Sequence, residues 1–375
     1  MEKAFIIFSG YNTRAITSFC RRLTVLGRPF YIIAANKNDF IFYTAYKKNV
    51  FAIRSEKELV WDELKTIFHK LQKTVPQNDF ILCPSSEYLN HYALRHQAQF
   101  AEFNINIPLV DLTVYDKITN KYSFSTLCKK KGLDIPKRLR KISENKIPFV
   151  AKPKKNIGQG NTLYPHLILC KNDYDIFMKN ESTEQYYFEE FLSGGESYYL
   201  LFYISPFGKN ISFSQKNILQ QAGGKSIVYA IPADIHNQPI SNQYVTILRQ
   251  SGFWGLIMIE LKKMGEQYVM IEANPRLWGP SQLFVDNNQP LFDAFIHETT
   301  TNEPYRADQK QRGRQKPYIW LGGVLQQMYH GQKMTWHSAK DSMMVLRGVL
   351  QDVYLRRDTW PFFFKELQLI INNTI

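Results

Sequence analysis

The stretch from Phe253 to Leu283 constrains this chain more than any other part of it. It reads Phe-Trp-Gly-Leu-Ile-Met-Ile-Glu-Leu, then Lys262-Lys263-Met264-Gly265-Glu266, then Gln-Tyr-Val-Met-Ile-Glu-Ala-Asn-Pro-Arg-Leu-Trp-Gly. Two apolar runs rich in β-branched residues flank a short polar turn that contains glycine, which is the pattern of a β-hairpin. A turn centred near Glu266 puts Glu260 six residues before it and Glu272 six after, so the two carboxylates face each other across the ladder. Like charges directly opposed destabilise a sheet. A cation between them removes that cost. Side chains two apart share a strand face, so Asn274 joins Glu272 as a third hard oxygen donor. Such a set suits Mg²⁺ held together with phosphate. Arg276 follows at once, and its guanidinium fork matches phosphate or carboxylate.

The rest of the chain has to supply a fold around that hairpin. With 375 residues and 44% hydrophobic content it can form two or three packed units. The opening is a βαβ pattern. An apolar strand over residues 3–9 is followed by a helix with Ile16, Phe19, Cys20, Leu23 and Leu26 in helical spacing, closed at Gly27, with Thr13 as its expected cap. A second strand is expected over Pro29 to Ala35. This predicts a parallel, Rossmann-like sheet, and no G-x-G-x-x-G fingerprint marks a dinucleotide site. A helix is predicted over Glu56 to Lys73 and a strand over Asp79 to Pro84. Another helix is predicted from Ser85-Ser86-Glu87 to about Glu102. The strand end at Ser85 and Ser86 is where an open α/β sheet offers a crevice.

The texture changes from Asp116. A helix starts at Lys121, and Pro148 to Pro153 is a short strand that carries Lys152. A lysine-rich loop follows over residues 154–162, with Gly158 and Gly160, whose backbone can approach phosphate oxygens closely. Tyr186 to Leu192 reads as a strand, Ser193-Gly194-Gly195 as a turn, and Glu196 opens the next strand, to Ile204. Ile211 to Lys216 is a further strand, and Tyr244 to Ser251 a helix. The last segment is basic: from Arg306 to Ile375 there are eleven Lys/Arg against five Asp/Glu, within a chain of net charge +14. It is expected to be mostly helical, with a charged connector over Gln309 to Lys316 and helices over Tyr318 to His330 and Leu346 to Leu355. An aromatic cluster spans Trp360 to Phe364. The four cysteines, Cys20, Cys83, Cys128 and Cys170, are scattered in apolar contexts without metal-ligand spacing. The expectation is a reduced, cytoplasmic protein. The short apolar run Ala4 to Phe8 is expected to be a first strand rather than the h-region of a signal, and no run reaches membrane length. The basic excess admits an anionic surface as partner, whereas no recognition motif for nucleic acid is present.

From about Asp116 to Thr301 the ordered motifs resemble the ATP-grasp superfamily. Lys121 and Lys152 are similar to its two phosphate-binding lysines. Gly158-Gln159-Gly160 is similar to its phosphate loop. Glu189-Glu190-Phe191-Leu192 resembles the hinge that receives adenine, and Glu196 the carboxylate that takes the ribose hydroxyls. Glu260, Glu272 and Asn274 match the magnesium ligands, with the twelve-residue gap found in biotin carboxylase. Arg276 matches the arginine aimed at the transferring phosphate, and Lys216 resembles a lysine that reaches the γ-phosphate. Thr13-Arg14-Ala15, Pro84-Ser85-Ser86-Glu87 and Asp358-Thr359-Trp360-Pro361 give a whole-chain layout similar to the predicted ATP-dependent carboligases.

This resemblance implies an α/β chain with three parts. Residues 1–115 form a Rossmann-like pre-ATP-grasp domain. Residues 116–305 form an ATP-grasp domain, with a small lobe at about 121–190 and a large lobe at about 191–305. Residues 306–375 form the basic extension. It implies ATP and one or two Mg²⁺ ions as cofactors, with Mn²⁺ as an admissible substitute. The implied reaction joins a small-molecule or glycan-linked carboxylate to an amine through an acyl phosphate, with Arg276 and Lys216 at the chemical step. Alternatives in the same frame are an ATP-grasp kinase or carboxylase, or a non-catalytic ATP-binding module. An anionic membrane is a candidate peripheral partner.

Overall fold

The structure, a computed structural model, describes residues 3–55, 58–77, 79–154, 157–158, 161–306, 315–337 and 348–372. The N-terminal part is a five-stranded parallel sheet. Its strands are β1 (Ala4–Phe8), β2 (Phe30–Ala34), β3 (Val50–Ile53), β4 (Phe80–Leu82) and β5 (Ile105–Asn106), in the order β3-β2-β1-β4-β5. Every residue of β1 is buried, as expected of a strand covered on both faces. The helix Thr13–Val25 buries Ile16, Phe19, Cys20 and Leu23 on one side. It ends before Gly27, whose φ of 65° suits a residue without Cβ. Asn12, not Thr13, is the residue before this helix, and it makes no side-chain cap. The second predicted helix begins at Trp61, and residues 56 and 57 lie outside the described set. Ser86 caps Glu87–Arg95 by accepting from the Leu89 N–H at 3.1 Å. The predicted single helix to Glu102 is instead two, broken at His96 before Gln97–Ala101.

The middle of the chain holds two antiparallel sheets. The smaller contains β6 (Arg138–Leu139), β7 (Phe149–Pro153), β10 (His166–Ile168) and β11 (Tyr186–Glu190), in the order β10-β7-β11-β6. Between β7 and β10 lies a short hairpin of β8 (Ile157–Gly158) and β9 (Asn161–Thr162). The larger sheet has seven strands. Five are β12 (Glu196–Ile204), β13 (Asn210–Gln220), β14 (Ile227–Ala233), β15 (Gly255–Met264) and β16 (Gln267–Asn274). The other two are β17 (Tyr318–Ile319), on β14, and β18 (Thr335–Trp336), on β13.

The two faces of the larger sheet serve two cores. Tyr198, Leu200 and Ile259 pack with Tyr244, Ile247 and Leu248 of the helix Pro239–Gln250. Leu201, Tyr203 and Met258 pack with Phe292 and Phe295 of the helix Leu291–Thr301. Both cores continue into the N-terminal sheet, Ile6 and Phe8 in the first, Phe5 and Ile7 in the second.

The basic extension is more than helices. It contributes the helices Leu321–Tyr329 and Trp360–Ile371, but also β17 and β18. Of the predicted helix over Leu346 to Leu355, residues 346 and 347 lie outside the described set, Gly348 is helical, and Val349–Gln351 is a 3₁₀ turn that ends it before Asp352. Most of the predicted connector, residues 309–314, lies outside the described residues. The extension is tied to the N-terminal helix by charge. Arg21 pairs with Asp358 at 2.8 Å, and Arg14, half-buried, lies 4.0 Å over the Trp320 ring and donates to the Ile227 carbonyl at 3.0 Å.

Candidate nucleotide and metal site

The hairpin forms as the sequence suggests, and Glu260 stands directly opposite Glu272. The reason differs from a turn centred on Glu266. The turn is the two-residue Gly265-Glu266 between paired Met264 and Gln267, with Gly265 at φ 62°. Unbroken pairing from that turn would place Glu260 opposite Ile271 and throw Glu272 to the other face. A β-bulge between Glu260 and Leu261 on one side and Glu272 and Met270 on the other adds Ile271 and restores the alignment. The bulge also frees the Ile271 carbonyl, which accepts from Lys152 Nζ at 3.1 Å.

Two lysines approach the carboxylates from outside the hairpin. Lys121 begins the helix Lys121–Lys130, whose first turn is capped by the Asn120 side chain accepting from Ser123 N–H at 2.9 Å. Its Nζ lies 2.9 Å from Glu272 Oε2. Lys152, on β7, pairs with Glu189 of β11 at 2.8 Å, and both side chains are buried. Register explains that contact: Lys152 is opposite Tyr187, and Glu189 lies two residues on, on the same face. Asn274 donates to Glu272 Oε1 at 2.7 Å and accepts from Arg276 Nη2 at 3.3 Å.

The charges are unequal. Burial, and then the facing carboxylate of Glu272, push Glu260 up to about 8, against the pull of Lys152, Lys121 and Lys262. Burial alone would raise Glu272 too, but the Lys121 ammonium and the Asn274 amide outweigh it and hold Glu272 down to about 2. Burial would lower Lys121, and Glu272 overrides this to raise it. Glu260 thus carries the unrelieved repulsion. The donor set fits a divalent cation: the Glu260 and Glu272 carboxylates are directly opposed and the Asn274 amide lies beside Glu272, so these side chains would hold the ion through hard oxygen donors. Mg²⁺ bound here would take its remaining ligands from water and phosphate oxygens.

The other predicted site residues divide by strand parity. Glu272, Glu260, Tyr199 and Gln215 form one row of directly opposed residues across β16, β15, β12 and β13. Lys216 stands opposite Tyr198, hence on the other face. There its ammonium pairs with Glu196, which also accepts from the Tyr198 hydroxyl at 2.6 Å. Lys216 and Glu196 therefore form a pair of their own and do not join the row of Glu260. Glu190 likewise points away from Glu189, its carboxylate accepting from the Lys137 N–H at 2.8 Å. Phe191 and Leu192 do border the site: Lys262 lies 5.8 Å from the Phe191 ring and donates to the Leu192 carbonyl. Gly158 sits in the β8–β9 hairpin, and Gly160 lies outside the described residues.

Tyr199, Gln215, Asn217 and Lys262 are residues on this face that motif reading passes over. Gln215 is fully buried; its Nε2 donates to Asn217 Oδ1 at 2.7 Å, while its Oε1 has no partner among the described residues. Asn217 donates in turn to Ser197 Oγ at 2.9 Å. The signal for Gln215 is parity alone, and parity needs the β12–β13 register.

No family model matches the chain, and no curated protein matches its sequence. Solved structures do. A biotin carboxylase–βγ-ATP complex from Campylobacter jejuni superposes with a TM-score of 0.61 at 11% identity, over 82% of this chain and 72% of that one. The chain has the ATP-grasp fold. Two further ATP-grasp neighbours carry nucleotide. One is the biotin carboxylase domain of Hydrogenobacter thermophilus 2-oxoglutarate carboxylase with MgADP, ADP and bicarbonate (TM-score 0.59, 14% identity, 82% of this chain and 72% of that one). The other is Staphylococcus aureus N5-carboxyaminoimidazole synthetase with ADP (TM-score 0.59, 14% identity, 84% and 80%). Lys152 and Glu189 lie on the smaller antiparallel sheet, Glu260, Glu272 and Asn274 on the larger, and Lys121 on the helix Lys121–Lys130.

Proposed function

We propose that this chain is a Mg²⁺-dependent, ADP-forming ligase that joins a carboxylate to an amine through an acyl phosphate. The observation that carries the reading is the Glu260–Glu272 opposition, built by a bulge, with Asn274 beside it and Lys121 and Lys152 reaching in from the other lobe. An arrangement with this internal repulsion is costly without a cation and favourable with one. The neighbours' bound ADP and MgADP support the same choice.

In this reading Lys121 and Lys152 exchange their carboxylate partners for phosphate oxygens of ATP. The backbone of Glu189 to Leu192 receives the adenine, with Glu196 toward the ribose. Glu260, Glu272 and Asn274 hold Mg²⁺, which supplies charge neutralisation at the phosphate oxygens when bound. Arg276 offers its fork to the substrate carboxylate and to the charge that develops as the phosphoryl group moves. Lys216 is assigned a supporting part, as the partner that orients Glu196. Gln215 faces the reacting end in its place. The carboxylate oxygen attacks the γ-phosphorus and ADP leaves. The amine nitrogen then attacks the acyl carbon, phosphate departs with the electron pair, and the nitrogen loses a proton. No protein nucleophile takes part.

A second reading is a carboxylase, in which bicarbonate is the acid that is phosphorylated; the bicarbonate bound in the 2-oxoglutarate carboxylase domain favours it. One experiment separates the two. ADP release is measured with pools of carboxylic acids and amines, or with bicarbonate, in the presence of hydroxylamine. Acid-dependent hydroxamate with free phosphate supports the ligase, and bicarbonate-dependent ADP release supports the carboxylase. Phosphate retained on the product, or no ADP with any acceptor, overturns both.

A further inference from the structure

The aromatic cluster of the C-terminal segment takes no part in the nucleotide site. The helix Trp360–Ile371 buries Phe362, Phe363, Glu366 and Ile370 against the body of the protein. Its outer face carries Trp360, Phe364, Gln368 and Ile371, spaced as one helical stripe. Three of these four are large and apolar, and they are 54%, 56% and 69% exposed. The Trp360 and Phe364 rings touch edge to face, with centroids 6.2 Å apart. Beside them Lys365 Nζ lies 5.7 Å over the ring of Tyr43, itself 38% exposed.

Charge says what this face meets. Tyr43 belongs to the paired 3₁₀ turns Phe40–Tyr43 and Ala45–Asn49, which pack on the same helix through Phe40 and Phe362. Those turns contain Lys47 and Lys48, both exposed, and no acidic residue. In the helix the one acid, Glu366, is buried. Just before it, Arg357 is exposed, while Asp358 is engaged by Arg21 and by the Tyr46 hydroxyl at 2.6 Å. The surface is thus an aromatic and aliphatic stripe with a cationic border and no free carboxylate among the described residues of these elements.

We infer that this face docks on a bilayer surface containing anionic lipid, with Trp360, Phe364 and Ile371 entering the interfacial region and Lys47, Lys48, Arg357 and Lys365 over the headgroups. Amphipathic helices with Trp and Phe on the apolar side and Lys or Arg around it lie in that plane. A second copy of the chain fits less well, because a symmetric contact sets the same cationic border and the same net +14 against itself. No helix among the described residues is long and apolar enough to cross a membrane, so the contact is peripheral. The inference is independent of the ligase reading.

The test is flotation of the full chain with phosphatidylcholine vesicles and with vesicles that also contain phosphatidylglycerol. The expected result is binding to the anionic vesicles alone, falling roughly tenfold when salt is raised well above the physiological level. Two exposed-residue variants, W360S/F364S and F364S/I371S, each lose binding at least about tenfold, since each removes two of the three inserting side chains. Lys365→Glu weakens binding without touching the core. All three keep the melting temperature and Mg·ATP affinity of the parent. Absence of flotation with anionic vesicles at low salt overturns the inference. So does unchanged binding of both double variants. A dimer in light scattering that these variants dissolve, with no vesicle binding, overturns it in favour of a second copy.

Discussion

Replacing Gln215 and Lys216 by alanine, one at a time, separates two faces of one strand. Gln215 is fully buried in the row with Tyr199, Glu260 and Glu272, and keeps one amide hydrogen and its Oε1 uncommitted. Lys216 lies on the other face, paired with Glu196, with side chains 21% and 38% exposed. A hydrogen bond to a charged group contributes about 1.5–3 kcal/mol. Q215A should therefore weaken Mg·ATP binding by roughly tenfold to 150-fold. Mg·ADP, which has no γ-phosphate, should be affected far less. A partly exposed ion pair contributes about 0–1 kcal/mol. K216A should therefore cost about fivefold or less, equally for ATP and ADP. Titration calorimetry with both nucleotides reads the two ratios, and thermal melting verifies that both variants remain folded. A K216A variant that loses ATP selectively while Q215A does not would refute the assignment by strand parity.

Other outcomes follow from the same contacts. Lys152→Met leaves Glu189 buried without its cation, which should destabilise the fold by about 3–5 kcal/mol in urea denaturation. The double variant K152M/E189Q should recover most of that stability while ATP affinity stays low. Glu366 is buried and, through that burial and then Asp352, raised to about 7, while Trp320 and Arg14 pull it down. Below about pH 4.5 folded and unfolded chains both hold this proton; between there and pH 7 only the folded chain does, so stability falls as pH rises. E366Q should remove up to about 3 kcal/mol of that fall, read from urea midpoints at pH 5 and pH 8; parallel pH profiles would contradict it.

The parts of this molecule that local pattern controls are legible in the sequence. The N-terminal βαβ order follows from apolar runs and from Gly27, and the hairpin that carries Glu260 and Glu272 follows from two apolar runs about a glycine-bearing turn. What is not legible depends on pairing between distant strands. The Ile271 bulge is one residue in a ladder, without a glycine or proline to mark it, yet it decides the face of Glu272. Lys216 draws attention because it is charged, but its face is set by pairing with β12, and a single residue of register exchanges it with Gln215. β17 and β18 are two-residue strands whose partners lie about 90 and 115 residues away, a distance at which no local pattern acts. The Lys121–Glu272 pair joins a helix to the larger sheet, and the Lys152–Glu189 pair joins strands more than 30 residues apart in the smaller one. Type and spacing name those residues, and the fold assigns their partners.

The central claim is that Glu260, Glu272 and Asn274 hold a divalent cation with ATP. It is tested most directly by the Mg²⁺ dependence of ATP binding in the parent chain and in E272Q, with folding checked by circular dichroism. The account expects ATP affinity in the parent to rise strongly with Mg²⁺, and E272Q to fold normally but to lose that dependence. An E272Q variant whose ATP binding responds to Mg²⁺ as the parent does would contradict it.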